Sequence, residues 1–182
     1  MTPNNDLQIL SLISSSSTRD KGFRLLMEQY QQRIYGAIRK MVIIHEDADD
    51  VLQNTFIKAF KHIHKFNKQS TLFTWLYRIA INESLNFLEK KKRRFFVPLE
   101  DHDMAMMQYL DKSPLIDGDA IQKKLQKAIL KLPEKQRLIF NMRYFEDLPY
   151  NQISEITETS VGALKASYHH AVKKIEEEIK LE

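Results

Sequence analysis

The chain contains no cysteine. That excludes a disulfide framework and any thiolate metal site, and it suits a reducing cytoplasm. Glycine occurs only four times, and no Gly-rich phosphate loop or nucleophile elbow is present. His62, His64, His169 and His170 lack the spacing of a metal motif such as HExxH. No apolar run approaches the roughly 20 residues needed to cross a bilayer. The opening residues, MTPNNDLQILSLISSSSTRD, have no basic leader and only a short, broken apolar run, so they do not read as a signal peptide. The serines at 14–17 predict a flexible lead-in over residues 1–19. No cofactor, metal or catalytic group is expected.

The 182 residues suffice for one medium domain or two small ones. The net charge of +4 hides a pattern. Residues 1–94 hold 16 Lys/Arg against 9 Asp/Glu, residues 95–119 hold one lysine against six acids, and residues 120–182 hold 11 against 9. A basic N-terminal domain, an acidic linker and a weakly basic C-terminal domain follow. A basic domain favours nucleic acid or anionic lipid as partner.

Strand alternation is lacking, and helical periodicity is strong. One stripe is Phe23, Leu26, Met27, Tyr30, Ile34, Ile38 and Met41; a second is Ala48, Val51, Leu52, Thr55, Phe56, Ala59, Phe60 and Ile63. A third helix spans about 71–94, capped by Ser70 or Thr71, with Leu72, Leu76, Ile79, Ala80 and Phe87 on its stripe and EKKKRR at its end. The pattern stops over 95–119, read as a linker with a short helical piece at Met104–Leu110. It resumes at Ile121. Pro133 and Pro149 each start a helix at its first position, and Thr159 or Ser160 caps the last one. The fold class is all-α: two small helical domains over 20–94 and 120–182, joined by an acidic linker.

Three segments bear on function. A short helix, a tight turn and a longer helix close the chain, which is the layout of a helix-turn-helix. Gly162, Ala163 and Ala166 permit close approach. Lys165 and Lys173 suit phosphates, and Ser160, Ser167, His169 and His170 suit phosphates or base edges. A plain helical hairpin with a polar face fits the same pattern. In STLFTWLYRIAINESLNFLEKKKRR, residues 70–94, Phe73, Trp75 and Tyr77 cannot all point inward, and aromatics beside cations suit single-stranded nucleic acid. HEDADD, residues 45–50, lacks the convergent spacing of a metal or acid–base site. It reads as a helix start favoured by the dipole, or as a docking site for a basic protein.

Residues DADDVLQNTFIKAFKHIHKF and TLFTWLYRIAINESLNFLEKKKRR resemble the second conserved region of bacterial sigma factors, and LPEKQRLIFNMRYFEDLPYNQISEITETSVGALKASYHHAVKKI resembles the fourth. Both stand in order, with only an acidic linker between them. That is the plan of the extracytoplasmic-function (ECF) type of the sigma-70 family. The resemblance implies a non-enzymatic factor that binds core RNA polymerase and directs it to promoters. It implies that Asp47, Asp50, Gln53 and Phe56 dock on the β′ clamp helices, and that the C-terminal domain meets the β flap. It further implies that the loop at 66–72, with Phe66, Phe73, Asn82, Lys90, Arg93 and Arg94, reads and melts the −10 element, capturing a flipped base. The last helix then reads the −35 element through Ser160, Lys165, Ser167, His169, His170 and Lys173. Ser154 stands where alanine is usual, and Glu158 or Thr159 where a glycine is usual. In this family an anti-sigma partner commonly holds the factor inactive. A stand-alone DNA-binding regulator and a helical protein-interaction adaptor are the alternatives.

Overall fold

The computed structural model describes residues 3–95, 107–108 and 120–181; among these there is no strand. The first helix, α1, spans Pro3–Ser14. The lead-in expected over 1–19 is therefore corrected: Ile9 and Ile13, one turn apart, are buried. The broken apolar run is one face of a short helix, and its partner is supplied from elsewhere. Asp6 accepts hydrogen bonds from the Tyr30 hydroxyl at 2.5 Å and the Gln29 amide at 3.0 Å. Gly22 permits the close approach, because a Cβ there would lie 2.8 Å from the backbone nitrogen of Ile13.

Helix α2, Arg19–Val42, buries Phe23, Leu26, Tyr30, Ile34, Ile38 and Met41 as the periodicity predicts. It ends in a tight γ-turn. Ile43 has φ 67° and ψ −49°, and the Ile44 N–H donates to the Val42 carbonyl at 2.8 Å. Such a conformation is strained for a β-branched residue. Packing against Leu88 and Leu130 holds it. Helix α3, His45–His62, carries Glu46 and Asp47 in its first turn, where carboxylates complement the dipole. A short 3₁₀ turn, Ile63–Lys65, leads to the loop before α4, Leu72–Phe95. Thr71 caps α4, its Oγ1 accepting the Thr74 N–H at 3.0 Å.

The buried face of α4 is wider than one stripe. Leu72, Phe73, Leu76, Tyr77, Ala80, Ile81 and Leu88 are all buried. Helices α2 and α3 cover one side, and the C-terminal half covers another. That half is built of α5 (Ala120–Leu130), α6 (Glu134–Phe140), a π-helical turn (Asn141–Phe145), α7 (Tyr150–Thr157) and α8 (Val161–Leu181). Pro133 and Pro149 stand one position earlier than expected, as the residues preceding α6 and α7. Ser160 caps α8 through the Ala163 N–H, at 3.3 Å.

The two halves share one core. Leu138, Ile139, Met142, Leu148, Ile153, Ile156 and Leu164 join the cluster built by α1–α4. A second cluster, with Ile129, Leu132, Phe140, Ala171 and Ile175, holds α5, α6 and α8 together. Met107 and Gln108 are helical, while the rest of the expected piece at Met104–Leu110 lies outside the described residues. Met107 packs against Ile43, Leu88 and Leu130. No described helix is long and apolar enough to cross a membrane.

Candidate polymerase and nucleic-acid interfaces

The first surface lies on α2 and α3. Asp49, Asp50 and Gln53 are exposed, and Asp47 is half-buried. Lys91 of α4 pairs with the Asp47 carboxylate, so part of that charge is used inside the fold. His45 Nδ1 lies 3.5 Å from the Asp49 carboxylate. Phe56 is only 5% exposed and packs edge-on to Phe23 at 6.3 Å. It forms the floor of a groove, because it shares the inward stripe of Ala48, Val51 and Ala59. The groove, about 440 Å³, is walled by Met27, Gln31, Asp49, Leu52, Gln53 and Ile57. Ile57 is 45% exposed. An apolar groove edged by a carboxylate fits a partner with apolar and basic side chains. Sequence reading passed over Ile57, although its exposed position one residue off the stripe is a visible signal.

The second surface follows the loop between the 3₁₀ turn and α4. Phe66 is half-buried and packs on Trp75, ring centroids 5.7 Å apart. The Phe66 N–H donates to the Ile63 carbonyl at 3.0 Å. Lys68 adopts φ 61°, which sharpens the loop, and the Gln69 N–H donates to Asn67 Oδ1 at 3.2 Å. Phe73 is 6% exposed, with the Arg33 guanidinium 3.8 Å above its ring. Its side chain, expected at the −10 side, lies in the core toward α2 in this structure. On α4, Asn82, Lys90 and Arg93 are exposed. Arg93 pairs with Glu89 one turn earlier. Nothing of the Arg94 side chain falls within the described residues.

The third surface is α8. Leu164, Ala171 and Ile175 bury its inner stripe. Tyr168 stacks on Phe140 at 5.8 Å and meets Tyr150 edge-on at 6.4 Å. Burial pushes the Tyr168 phenol above its ordinary range, and Tyr150 adds to this. Lys165, His169 and Lys173 are all exposed and recur every four residues, so they share a face. The Lys165 ammonium sits 5.9 Å from the Tyr150 ring centroid, near the outer limit of cation–π attraction. His170 is exposed as well; it stands about 100° round the helix from His169, with the two ring centroids 6.1 Å apart.

Ser167 faces elsewhere. With Thr159, Ala163 and Lys135 it lines a cleft of about 550 Å³, whose opposite wall is Arg78, Asn82 and Leu85 of α4. The structure thus brings Asn82 and Ser167 to one cleft. It leaves Lys165, His169 and Lys173 on an open face. Arg78 and Lys135, which were not singled out from the sequence, add cations to that cleft.

This arrangement of helices matches known proteins. Residues 26–94 match the sigma-70 region 2 family, and residues 122–175 match the sigma-70 region 4 family. The RNA polymerase sigma-H factor of Pseudomonas aeruginosa is 31% identical over 97% of this chain and 94% of its own length. The chain belongs to the sigma-70 family and is an ECF-type sigma factor. The ECF RNA polymerase sigma-E factor of Haemophilus influenzae is 30% identical, covering 87% of this chain and 88% of the relative. The sigma factor RpoE of Bartonella quintana, crystallised with the anti-sigma factor NepR, superposes with a TM-score of 0.72 at 22% identity, over 89% of this chain and 99% of that one. CnrH, in complex with the cytosolic domain of CnrY, superposes with a TM-score of 0.70 at 17% identity, over 98% and 99%. These two likenesses concern the fold. As a sigma factor, the chain binds core RNA polymerase and directs promoter-specific initiation of transcription.

Proposed function

We propose that this sigma factor docks on core polymerase through Asp50, Gln53 and the apolar groove beside them, with Asp47 helping to shape that face. The exposed carboxylates beside an apolar groove carry this reading, since they suit a partner that presents basic and apolar side chains together. The clamp helices of β′ are the corresponding family partner, and the β flap is the partner of the C-terminal domain. Residues 20–94 then form the unit that reads and melts the −10 element, 95–119 the linker, and 120–182 the −35 unit. On the −10 side, Phe66, Asn82, Lys90, Arg93 and Arg94 contact the strand. On the −35 side, Lys165, His169 and Lys173 meet phosphates and base edges, with Ser160, Ser167 and His170 flanking them. The factor works in the cytoplasm, where the polymerase is, without chemistry of its own. An anti-sigma protein is its further partner, a reading supported by the structurally similar sigma factor RpoE of Bartonella quintana, which was crystallised with the anti-sigma factor NepR.

The test is run-off transcription with core polymerase and a promoter library. Discrete new start sites that vanish with Asp50→Lys support the reading. Initiation unchanged by that reversal would refute the docking face. Absence of any initiation, with DNA binding retained, would favour a stand-alone regulator.

A further inference from the structure

Helix α1 borders the loop that precedes α4. Two clefts meet there, and both are lined by Leu7 and Leu10 of α1 and by Phe66 and Lys68 of the loop. Leu7 is 62% exposed. A single exposed leucine needs no explanation. This one, however, stands on a helix seated through the buried Ile9 and Ile13, and it shares both clefts with a half-buried aromatic ring. Trp75 supports that ring, with centroids 5.7 Å apart. Neither cleft includes Asn82, Lys90 or Arg93, so this is a different part of the −10 side from the one those residues form.

The smaller cleft, about 480 Å³, has a polar edge beside its apolar walls. Its size suits one nucleoside. Asp6 and Gln29 line it and are held by their own hydrogen bonds. The Tyr30 hydroxyl donates to Asp6 Oδ1 at 2.5 Å, and Gln29 Nε2 donates to the same oxygen at 3.0 Å. Burial and the bond to Asp6 push the Tyr30 phenol well above its ordinary value, so it stays a donor. Both donors use Oδ1, which leaves Oδ2 to accept from a ligand. A carboxylate accepts and does not donate. It therefore favours a base with an exocyclic amino group, such as cytosine or adenine, over thymine, whose exocyclic oxygens would face the carboxylate. Apolar walls with an acceptor at the edge are what a base taken out of its stack requires. In the larger cleft, about 900 Å³, Arg19 and Lys68 stand against a single acid, Asp20, which suits the phosphates flanking such a base. Leu148 and Gln152 reach the smaller cleft from the C-terminal half, but Asp6, Leu7, Leu10, Gln29 and Phe66 all belong to the N-terminal half.

Resting on the −10 reading above, we propose that α1 and the loop form a second base site for the melted −10 strand, in which Leu7 and Phe66 flank one unstacked base and Asp6 accepts from its amino group. The site takes single strand in preference to duplex, because a paired base leaves its stack only at a cost. Helix α1 is then part of the promoter reader as well as a brace for α2.

The test uses the full chain bound to core polymerase and single-stranded −10 oligonucleotides from a promoter found in the run-off library. An abasic residue is placed at each position in turn, and thymine replaces each cytosine or adenine. Fluorescence anisotropy gives the affinities. At one position, losing the base weakens binding by about ten-fold, as for loss of a stacked base, and thymine weakens it too. Leu7→Ala costs about three-fold or more on the intact strand and nothing further once that position is abasic. Asp6→Asn, which places an amide donor at the edge, erases the preference against thymine at that position alone. Losses spread evenly over every oligonucleotide mark both residues as structural and overturn the proposal. So do affinities left unchanged by both variants. Leu7 is exposed, so its truncation still decides the matter should Asp6→Asn misfold. Run-off initiation by the unaltered protein, with both variants neutral in binding, sinks this site alone; no initiation at all sinks the −10 reading with it.

Discussion

Asp47 of α3 is paired with Lys91 of α4. The pair ties the acidic start of α3 to the basic end of α4. Of the clustered carboxylates, Asp47 is thus spent partly within the fold, while Asp50 is exposed.

The two acids should therefore respond differently. Asp47→Asn is expected to lower stability by about 0.5–1 kcal/mol, as for a partly exposed pair, with a modest loss of polymerase binding. Asp50→Lys should leave the melting temperature near its starting value and abolish most polymerase binding. Thermal unfolding and a core-polymerase pull-down distinguish them. Equal effects of the two substitutions on both readouts would contradict the assignment.

Gly22→Ala reports on the first helix. In an open helix interior this change stabilises by about 1 kcal/mol. Here the new Cβ would meet the Ile13 backbone nitrogen and the Leu12 Cβ, each at 2.8 Å. Backbone cannot give way cheaply, so the sign reverses, and a loss of about 1–3 kcal/mol is expected. Urea denaturation measures it. A gain in stability would mean that α1 is not seated on α2.

Lys165→Glu tests the open face of α8. Each cation that neutralises a phosphate contributes a slope of about −0.9 to log K against log salt. The variant should weaken binding of a −35 duplex and flatten that slope by about one or more. Ser167→Ala, which faces the cleft, should alter the slope far less. Fluorescence anisotropy over a salt series gives both. A Ser167 effect as large as that of Lys165 would contradict the assignment of faces.

Alkaline stability follows from Tyr77. Burial pushes its phenol well above the ordinary value, and the Glu146 carboxylate adds to this while Arg33 opposes it. The folded state therefore favours the protonated phenol more than the unfolded chain does. Its contribution is complete below about pH 10, the unfolded value, and declines as pH climbs beyond it. Tyr77→Phe should make unfolding free energy fall less steeply above that pH. A slope identical to that of the unaltered protein would count against the buried phenol as its source.

Much of the architecture was legible in the residues. The stripes of α2 and α3 run at three and four residues along their whole length, and Thr71 and Ser160 cap helices where the local chemistry places them. The acidic cluster falls at the exposed start of α3, where its carboxylates complement the helix dipole as its sequence position suggested. The helix at Pro3–Ser14 was missed because its short apolar face is marginal alone and is stabilised by Tyr30, Gln29 and the gap at Gly22. That Phe56 and Phe73 are nearly buried was not legible either, because the packing of neighbouring helices decides which aromatic turns inward. Arg78 and Lys135 carried no local signal.

Helix periodicity, capping and charge distribution are properties of residues a few positions apart, so composition and spacing alone determined the all-α class and the order of basic, acidic and weakly basic segments, while the resemblance of whole motif segments pointed to the family. The relation between Glu146 and Arg33 spans 113 positions. No local pattern announces it, because like many long-range pairs it exists only where two independently helical surfaces happen to meet. Tertiary packing alone therefore decided that Asn82 and Ser167 share a cleft and that the groove on α2 and α3 stays open, since each depends on how buried apolar area and paired charge are distributed across helices far apart in the chain.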